Sequence, residues 1–267
     1  EAVNHFVRDF YPELVEVLKL DVVGRPEINI TKLAPGNPVG LNIRAALYPE
    51  VRLPKNWKIF GASAPLEPVS PATDEEITQT LESLRQSRKQ DEVVPELTDE
   101  FAKSVGAFET LEALKEQIKK GIGEEKTRGA RDKRRGKIID ALLEKVEVEI
   151  PRIFVESELD KIMSQMREDI GRMGLKFEDY LKHANKTEEQ LRGDFKDQAH
   201  RRAKLQLTLN KVAAEEKVEP DKEAVEREIG HALEHFPNAR PELVRIHIET
   251  VLRNEKVLQL LEQSEKK

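Results

Sequence analysis

The chain has 267 residues, which is long enough for one or two domains with a hydrophobic core. Charged residues make up 36% of it but the net charge is only −6, and this balance favours long solvated helices over a dedicated nucleic-acid surface. The chain has no cysteine, which excludes disulfides, thiolate nucleophiles and cysteine-based zinc sites. No apolar run approaches the roughly 20 residues of a membrane span, so we expect no membrane partner.

The first 50 residues predict a helix followed by a β-hairpin. Apolar side chains recur at spacings of three and four up to Leu18, among them Phe6, Phe10, Leu14 and Val17. Apolar and polar residues then alternate around residues 28–30 and 41–43, which predicts two short strands. The run Pro35-Gly36-Asn37-Pro38 between them is a turn signal.

A proline-rich connector follows. Nine of the fourteen prolines fall between Pro12 and Pro71, and each one removes a backbone donor and restricts φ. We therefore expect residues 48–71 to be extended and to dock through Trp57, Ile59 and Leu66. Thr73, with a glutamate three residues later, predicts a capped helix.

From residue 95 onward the sequence predicts a helical body. Apolar stripes run through residues 111–122 and 138–146, but residues 123–137 contain no large apolar side chain. A helix that is polar all round either bridges solvent or frays. We therefore expect a projecting arm here, either two helices that meet near its tip or one long helix that crosses open water.

The remaining helices are marked by their starts and stops. Pro151 is predicted to begin a helix with a coiled-coil-like seam, and Gly174 to end it. The seam residues are Val155, Leu159, Ile162, Met166, Ile170 and Met173. A short helix is expected around 177–181, then one long helix capped by Thr187, and two more that begin at Pro220 and Pro241.

No catalytic motif is present, and carboxylates are too numerous to nominate a pair. His231 and His235 have the i, i+4 spacing of metal ligands, but no third ligand is indicated, so we expect no metal and no cofactor. The basic residues from Lys126 to Arg135 could contact RNA phosphates, although acidic residues interrupt them. A solvated helix is the simpler interpretation.

Several segments resemble the trigger factor family of ribosome-associated chaperones. The stretch from Val94 to Phe101 resembles the start of that family's C-terminal domain, and residues 148–159 resemble the turn into its next helix. Residues 187–192 match in pattern, and residues 46–53 resemble the strand that leaves its ribosome-binding domain. Together these segments cover nearly the whole chain in the family's order.

Two features of the family are missing from these residues. The ribosome-docking loop, Gly-Phe-Arg-x-Gly-Lys, is not found, and only about four residues lie where an FKBP-type prolyl isomerase domain is expected, far too few for a domain. A natural loss, an engineered deletion and a partial record of the chain all remain open. A ribosome is therefore a partner only for a full-length form.

The resemblance implies a mainly α fold, an elongated multi-helix body with projecting helical arms. The expected divisions are an α+β remnant at 1–50, a connector and helix at 51–94, and a helical chaperone domain at 95–267. It also implies a cytoplasmic, ATP-independent chaperone without catalytic residues, whose partners are unfolded or nascent polypeptides. A homodimer is left open.

Two other function classes are left open. One is a helical adaptor with a single fixed partner on the seam from Val155 to Met173, and the other is an isomerase related to periplasmic chaperones. For client binding we nominate residues 153, 154, 173, 175 and 177, which are expected to surround a helix turn, and two methionines on the apolar stripe, although burial in the core is the alternative for each. They are Ile153, Phe154, Met163, Met166, Met173, Leu175 and Phe177.

Overall fold

The computed structural model describes residues 2–32, 38–89 and 94–263. The fold is mainly α with one two-stranded antiparallel sheet, which confirms the predicted fold class. The predicted turn at 35–37, the join at 90–93 and the side chain of Phe6 lie outside the described residues. The elements are α1 Ala2–Val17, β1 Val22–Lys32, β2 Gly40–Leu47, α2 Phe60–Ser63, α3 Asp74–Ser87, α4 Asp99–Val105, α5 Leu111–Lys145, α6 Arg152–Arg172, α7 Phe177–Ala184, α8 Glu188–Asp194, α9 Lys196–Glu216, α10 Lys222–His235 and α11 Pro241–Gln263.

The chain forms two compact units, and each is assembled from segments that are distant in sequence. One unit, called the arm unit below, joins the residues up to Trp57 with Leu142–Leu258. The other, called the connector unit, joins Lys58–Ala141 with the segment from Gln259 onward. Both units draw on α5 and on α11. The division at residues 50 and 94 that composition suggests stays a prediction.

In the arm unit, β1 and β2 form the predicted hairpin. Their register pairs Val22 with Leu47 and Ile28 with Ile43, so apolar side chains meet across the strands. The pairing is irregular between Val23 and Glu27, and Gly24 lies in this stretch with φ of +71°. That left-handed conformation favours glycine.

Helix α6 packs along α9 in the same unit. Val155, Leu159 and Ile162 are buried against Ala199, which has no exposed surface. A small side chain at that position lets the two helices approach closely. Helices α10 and α11 pack in the same manner through Val225, Ile229 and Ile248.

A polar network joins β2's exit to α9 and α11. The side-chain amide of Asn210 donates to the hydroxyl of Tyr48 at 3.2 Å, and its oxygen accepts from Arg253 at 3.0 Å and from Gln206 at 2.9 Å. Gln206 also accepts from Asn254 at 2.9 Å. A part-buried polar network stabilises a fold most when every donor and acceptor is paired. This network therefore fixes the register of α11 on α9.

One helix prediction needs correction. The segment capped by Thr187 is not one long helix, because α8 ends at Asp194 and α9 begins at Lys196, with Phe195 between them. Phe195 packs against the core of α6 and α9, and its ψ of 0° lies outside the regular helical range. The capping box itself is confirmed, since Thr187 and Gln190 exchange hydrogen bonds.

The connector unit has its own small core. Helix α3 begins with the predicted capping box of Thr73 and Glu76, and buries Leu81 against Phe101 and Leu114. The oxygen of Asp99 accepts from the backbone N–H of Leu111 at 2.7 Å, which joins the start of α4 to the start of α5. A charged acceptor is well placed there because the first N–H groups of a helix have no partner within it.

The polar middle of α5 is a correction to the predicted arm. Residues 123–137 belong to one continuous helix, but that stretch is not a free projection. Its basic side chains reach the proline-rich connector. Lys126 pairs with Glu76 at 2.7 Å, and Lys133 and Lys137 both pair with Glu67, at 3.4 and 2.6 Å.

Arg134 is the centre of this contact. Its guanidinium donates to the backbone carbonyl oxygens of Ala64 at 2.7 Å and Gly61 at 3.1 Å. It also donates to the carbonyl of Glu262 at 2.8 Å, near the end of α11. Arg135 beside it pairs with the Glu262 carboxylate. The basic run therefore holds backbone and carboxylate groups of this chain, and only Arg128 and Arg131 remain exposed without such a contact among the described residues.

The docking residues expected for the connector are confirmed only in part. Trp57, which is 5% exposed, is buried in the arm unit. Ile59 and Leu66 are about half exposed. Charged and backbone contacts hold residues 61–71, rather than the apolar side chains that the sequence suggested.

We expect Arg134→Met to destabilise the chain by about 2–4 kcal/mol, because three carbonyls lose a charged donor that water replaces only in part. The urea-unfolding midpoint measures this. Arg131→Met is the matched control, since Arg131 is exposed, and it should stay within about 0.5 kcal/mol of the parent. Equal stability of the two variants would contradict the role assigned to Arg134.

Acid should loosen the connector from α5. The ammonium groups of Lys137 and then Lys133 hold the pKa of Glu67 below its ordinary value of 4.5, and Lys126 does the same for the pKa of Glu76. A carboxyl whose pKa is lower in the folded chain than in the unfolded chain stabilises the folded state. This contribution is complete above the unfolded-state pKa and is lost as the pH falls through the folded-state pKa.

Unfolding free energy measured from pH 7 down to pH 3 should therefore be flat at first and decline below about pH 5. Glu67→Gln should make the decline shallower. Glu109→Gln removes an exposed carboxyl that has no ion pair among the described residues, and should leave the slope as it was. A slope unchanged by Glu67→Gln would contradict the assignment.

Candidate functional site

The turn between α6 and α7 presents the most exposed of the nominated residues. Helix α6 ends at Arg172, and Gly174 follows with φ of +75°, as a glycine C-cap requires. The N–H of Leu175 donates to the carbonyl of Ile170 at 3.2 Å, and the N–H of Gly174 to that of Gly171 at 3.0 Å. This pair of bonds is the Schellman arrangement, so the turn is fixed by its own backbone.

Because the turn is fixed, its apolar side chains are held in solvent. Met173 is 74% exposed and Leu175 is 54% exposed. Met173 therefore does not complete the seam of α6, as the sequence suggested, since the helix ends before it. Burying either side chain on a ligand would release apolar surface from water.

Phe177 borders the same turn and is half-buried. Its ring stacks on Tyr180 with centroids 6.4 Å apart, and the guanidinium of Arg167 lies 4.8 Å from its centre. Arg167 also pairs with Glu188. A cation over an aromatic face is attracted to it. Arg167 of α6 therefore connects that helix to Phe177 of α7 and to Glu188 of α8.

A second set of ion pairs braces α8 on α6. Arg192 donates to Asp160 at 2.7 Å and to Glu156 at 2.8 Å. The hydrogen bonds to Asp160 and then to Glu156 raise the pKa of Arg192. The hydrogen bond from Arg192 to Glu156 lowers the pKa of Glu156. These pairs keep both groups charged at neutral pH and connect α6 to α8.

Ile153 and Phe154 do not join this turn. They lie in the first turn of α6, and about 20 residues of helix at 1.5 Å each place them about 30 Å from Met173. Phe154 packs edge-on against Tyr48 at 5.8 Å, and Ile153 lies directly over Gly24. These two residues dock the hairpin on α6, and the expectation that they surround the same turn as Leu175 is wrong.

The two remaining nominated methionines lie along α6. Met163 has no exposed surface and is part of the core, so it cannot line a binding surface in this conformation. Met166 is half-buried. The apolar stripe of a helix points mainly inward, which is why periodicity alone could not separate these residues from exposed ones.

A second exposed apolar patch lies at the turn between α10 and α11, and sequence reasoning missed it. Phe236, Leu243 and Ile246 are 68%, 52% and 61% exposed. Phe236 directly follows α10, which ends at His235. The available signal was that Leu243 and Ile246 fall three apart and off the stripe that contains Ile248.

The remaining sequence candidates do not add a site. His231 and His235 are exposed on α10, and within residues 2–32, 38–89 and 94–263 no three histidine, aspartate or glutamate side chains group together to hold a metal. In the same described ranges, no helix has the length and apolar character to cross a membrane.

The chain is similar to proteins of one family along most of its length. Residues 110–263 match the family model of the bacterial trigger factor protein C-terminus, and residues 1–84 match the model described as bacterial trigger factor protein. A curated trigger factor of Halothermothrix orenii is 34% identical over 155 residues, and one of Carboxydothermus hydrogenoformans is 32% identical over 158.

These alignments cover 58% and 59% of this chain but only 36% and 37% of the relatives, so the matched part spans little more than a third of their length. A solved structure, described under promiscuous substrate recognition in folding and assembly activities of the trigger factor chaperone, is also similar. The alignment covers 98% of this chain and 84% of the chain in that structure, with 20% sequence identity and a TM-score of 0.48.

The glycines allow a test of how the hairpin docks on α6. A Cβ built on Gly24 would overlap Cδ1 of Ile153, and the positive φ is itself strained for alanine. Gly24→Ala should therefore destabilise the hairpin by about 1–3 kcal/mol, seen as faster amide hydrogen exchange in β1 and β2. Gly129→Ala in α5 meets no atom within 4 Å, and should instead stabilise the chain by about 0.5–1 kcal/mol. Effects of the same sign would contradict this account.

Proposed function

The chain belongs to the bacterial trigger factor family, and from that premise we propose that it is an ATP-independent chaperone for unfolded or nascent polypeptides. The single observation that supports client binding best is the exposed pair Met173 and Leu175 on a turn whose backbone is hydrogen-bonded. Neighbouring exposed apolar side chains on a protein surface are typical of sites where a partner binds.

The physical mechanism follows from the size and setting of the patches. Each turn offers only two or three exposed apolar side chains, so one contact is weak and reversible. Charged side chains surround them, with Arg172 and Lys176 beside Met173 and Leu175. An unfolded segment can thus bury apolar groups briefly while the complex stays solvated.

The patch at the α10–α11 turn offers a second contact of the same chemistry. Two weak contacts on one molecule raise the effective affinity for a long unfolded chain more than for a short peptide. Phe236 suits this role because an aromatic ring supplies a large contact area with few rotatable bonds.

The proposal assigns no catalytic step to this chain. It places the chaperone in the cytoplasm, in keeping with the family, and it does not require a ribosome or a second copy. Homodimer formation stays a prediction.

The adaptor alternative has less support. It relied on the seam from Val155 to Met173 as a docking face for one fixed partner. Val155, Leu159, Ile162 and Ile170 are buried in the fold, so that face is already occupied.

We expect the double variant M173S/L175S to bind an unfolded client about tenfold more weakly, because it removes two partly exposed apolar side chains from the contact. The measurement is light scattering of guanidine-denatured citrate synthase diluted into near-stoichiometric chaperone without ATP. Lys176→Gln changes the exposed residue that follows Leu175 and should behave as the parent does.

Two outcomes would count against the proposal at different levels. Full suppression of aggregation by M173S/L175S would show that clients do not bind at this turn. No suppression by the parent chain, over several denatured clients, would contradict the chaperone function itself.

A further inference from the structure

Two extended segments of the arm unit are held together at one point and then diverge. The backbone N–H of Arg52 donates to the carbonyl of Glu147 at 2.9 Å, and the N–H of Glu147 donates to the carbonyl of Arg52 at 3.2 Å. This is an isolated antiparallel bridge. Beyond it, residues 47–52 and 147–152 flank a groove of about 690 Å³.

The backbone on both sides of this groove is unpaired. Among the described residues, the N–H groups of Val148, Glu149 and Ile150 have no hydrogen-bond partner, and neither does that of Glu50. An unpaired extended segment offers a regular row of donors and acceptors, as the edge of a sheet does. Successive N–H groups of an extended strand point to opposite sides, so the groups on the same edge as the bridge are those of Glu50 and Glu149, two residues beyond Arg52 and Glu147. The bridge closes one end of the groove.

Prolines limit the ends of this open stretch. Pro49 on one side and Pro151 on the other carry no N–H, and the carbonyl of Pro151 already accepts from Phe154 at 3.0 Å. The open stretch is thus two residues long on one side, Glu50 and Val51, and three on the other, Val148 to Ile150, or about 7–10 Å at the rise of a β-strand. That length suits a short extended segment and is too short for a full sheet.

The side chains around the groove favour a segment with a basic residue. The lining carries three carboxylates, from Glu50, Glu147 and Glu149, against two guanidinium groups. Arg52 pairs with Glu50 at 3.0 Å, and Arg152 is engaged outside the groove by Glu156. Neither Glu147 nor Glu149 has an ion pair among the described residues, and both are exposed, so two negative charges border the unpaired backbone.

We propose that this groove takes an extended segment of an unfolded polypeptide as an inserted β-strand, paired through its main chain, with a lysine or arginine beside Glu149. Main-chain pairing is tolerant of sequence, which suits a protein with varied clients. The proposal rests on the proposed chaperone function and adds a second mode of binding to it. Apolar turns recognise side chains, whereas this groove recognises extended backbone.

The test uses a fluorescein-labelled peptide of alternating threonine and valine with one central lysine, and its Kd from fluorescence anisotropy. A second peptide carries N-methyl groups on alternate amides, which remove donors and leave the side chains in place. We expect N-methylation to weaken binding to the parent chain by about tenfold, since two or more hydrogen bonds are lost. Equal Kd values for the two peptides would overturn the proposal.

Variants at one position separate the backbone from the carboxylate. Glu149→Pro removes the central N–H and should weaken the unmodified peptide about tenfold, whereas Glu149→Ala keeps the N–H and should weaken it about threefold or less. Thermal unfolding checks that both variants fold. If Glu149→Pro does not fold, the N-methylated peptide on the parent chain still decides the matter.

The two proposals can fail separately. The aggregation assay tests the chaperone function, whereas N-methylation of the peptide tests main-chain pairing alone. If the parent suppresses aggregation but N-methylation has no effect, strand insertion alone is overturned. A second copy as the occupant would show as a dimer in sedimentation that Glu149→Pro dissociates, and that result would also overturn the proposal.

Discussion

The connector unit depends on Arg134. A proline-rich segment cannot pair its own backbone, because each proline lacks a donor and the extended chain leaves its carbonyls open. The planar guanidinium of Arg134 supplies several donors in a fixed arrangement, and it reaches the carbonyls of Gly61, Ala64 and Glu262 at once. Segments from three distant parts of the sequence meet at this one side chain.

The same interaction explains why a helix without an apolar stripe is stable. The middle of α5 carries Gly123, Gly129 and Gly136, and each lowers helix propensity. Lys126 and the two lysines that hold Glu67 give that stretch tertiary contacts in place of a hydrophobic face. Charge on this helix is therefore structural over part of its length.

In the arm unit, α6 separates two kinds of surface. Its N-terminal turn receives the hairpin through Ile153 and Phe154, next to the groove with open backbone. Its C-terminal end leaves Met173 and Leu175 in solvent. The buried middle of the helix, with Met163 at its centre, keeps these two surfaces about 30 Å apart. An unfolded chain long enough to reach both surfaces would bind more tightly than one that reaches a single surface.

The sequence by itself determined the local elements, because caps and periodicity act over a few residues. The capping boxes at Thr73 and Thr187, the glycine turn at Gly174 and the mainly α class were all predictable from spacing. Only the tertiary structure decided which apolar residues are covered. Met163 and Met173 fall within one predicted helix, yet one is buried and the other exposed, because burial depends on where α6 ends and on what packs against it. The role of Arg134 was hidden for the same reason, since its partners lie at least 70 residues away along the chain.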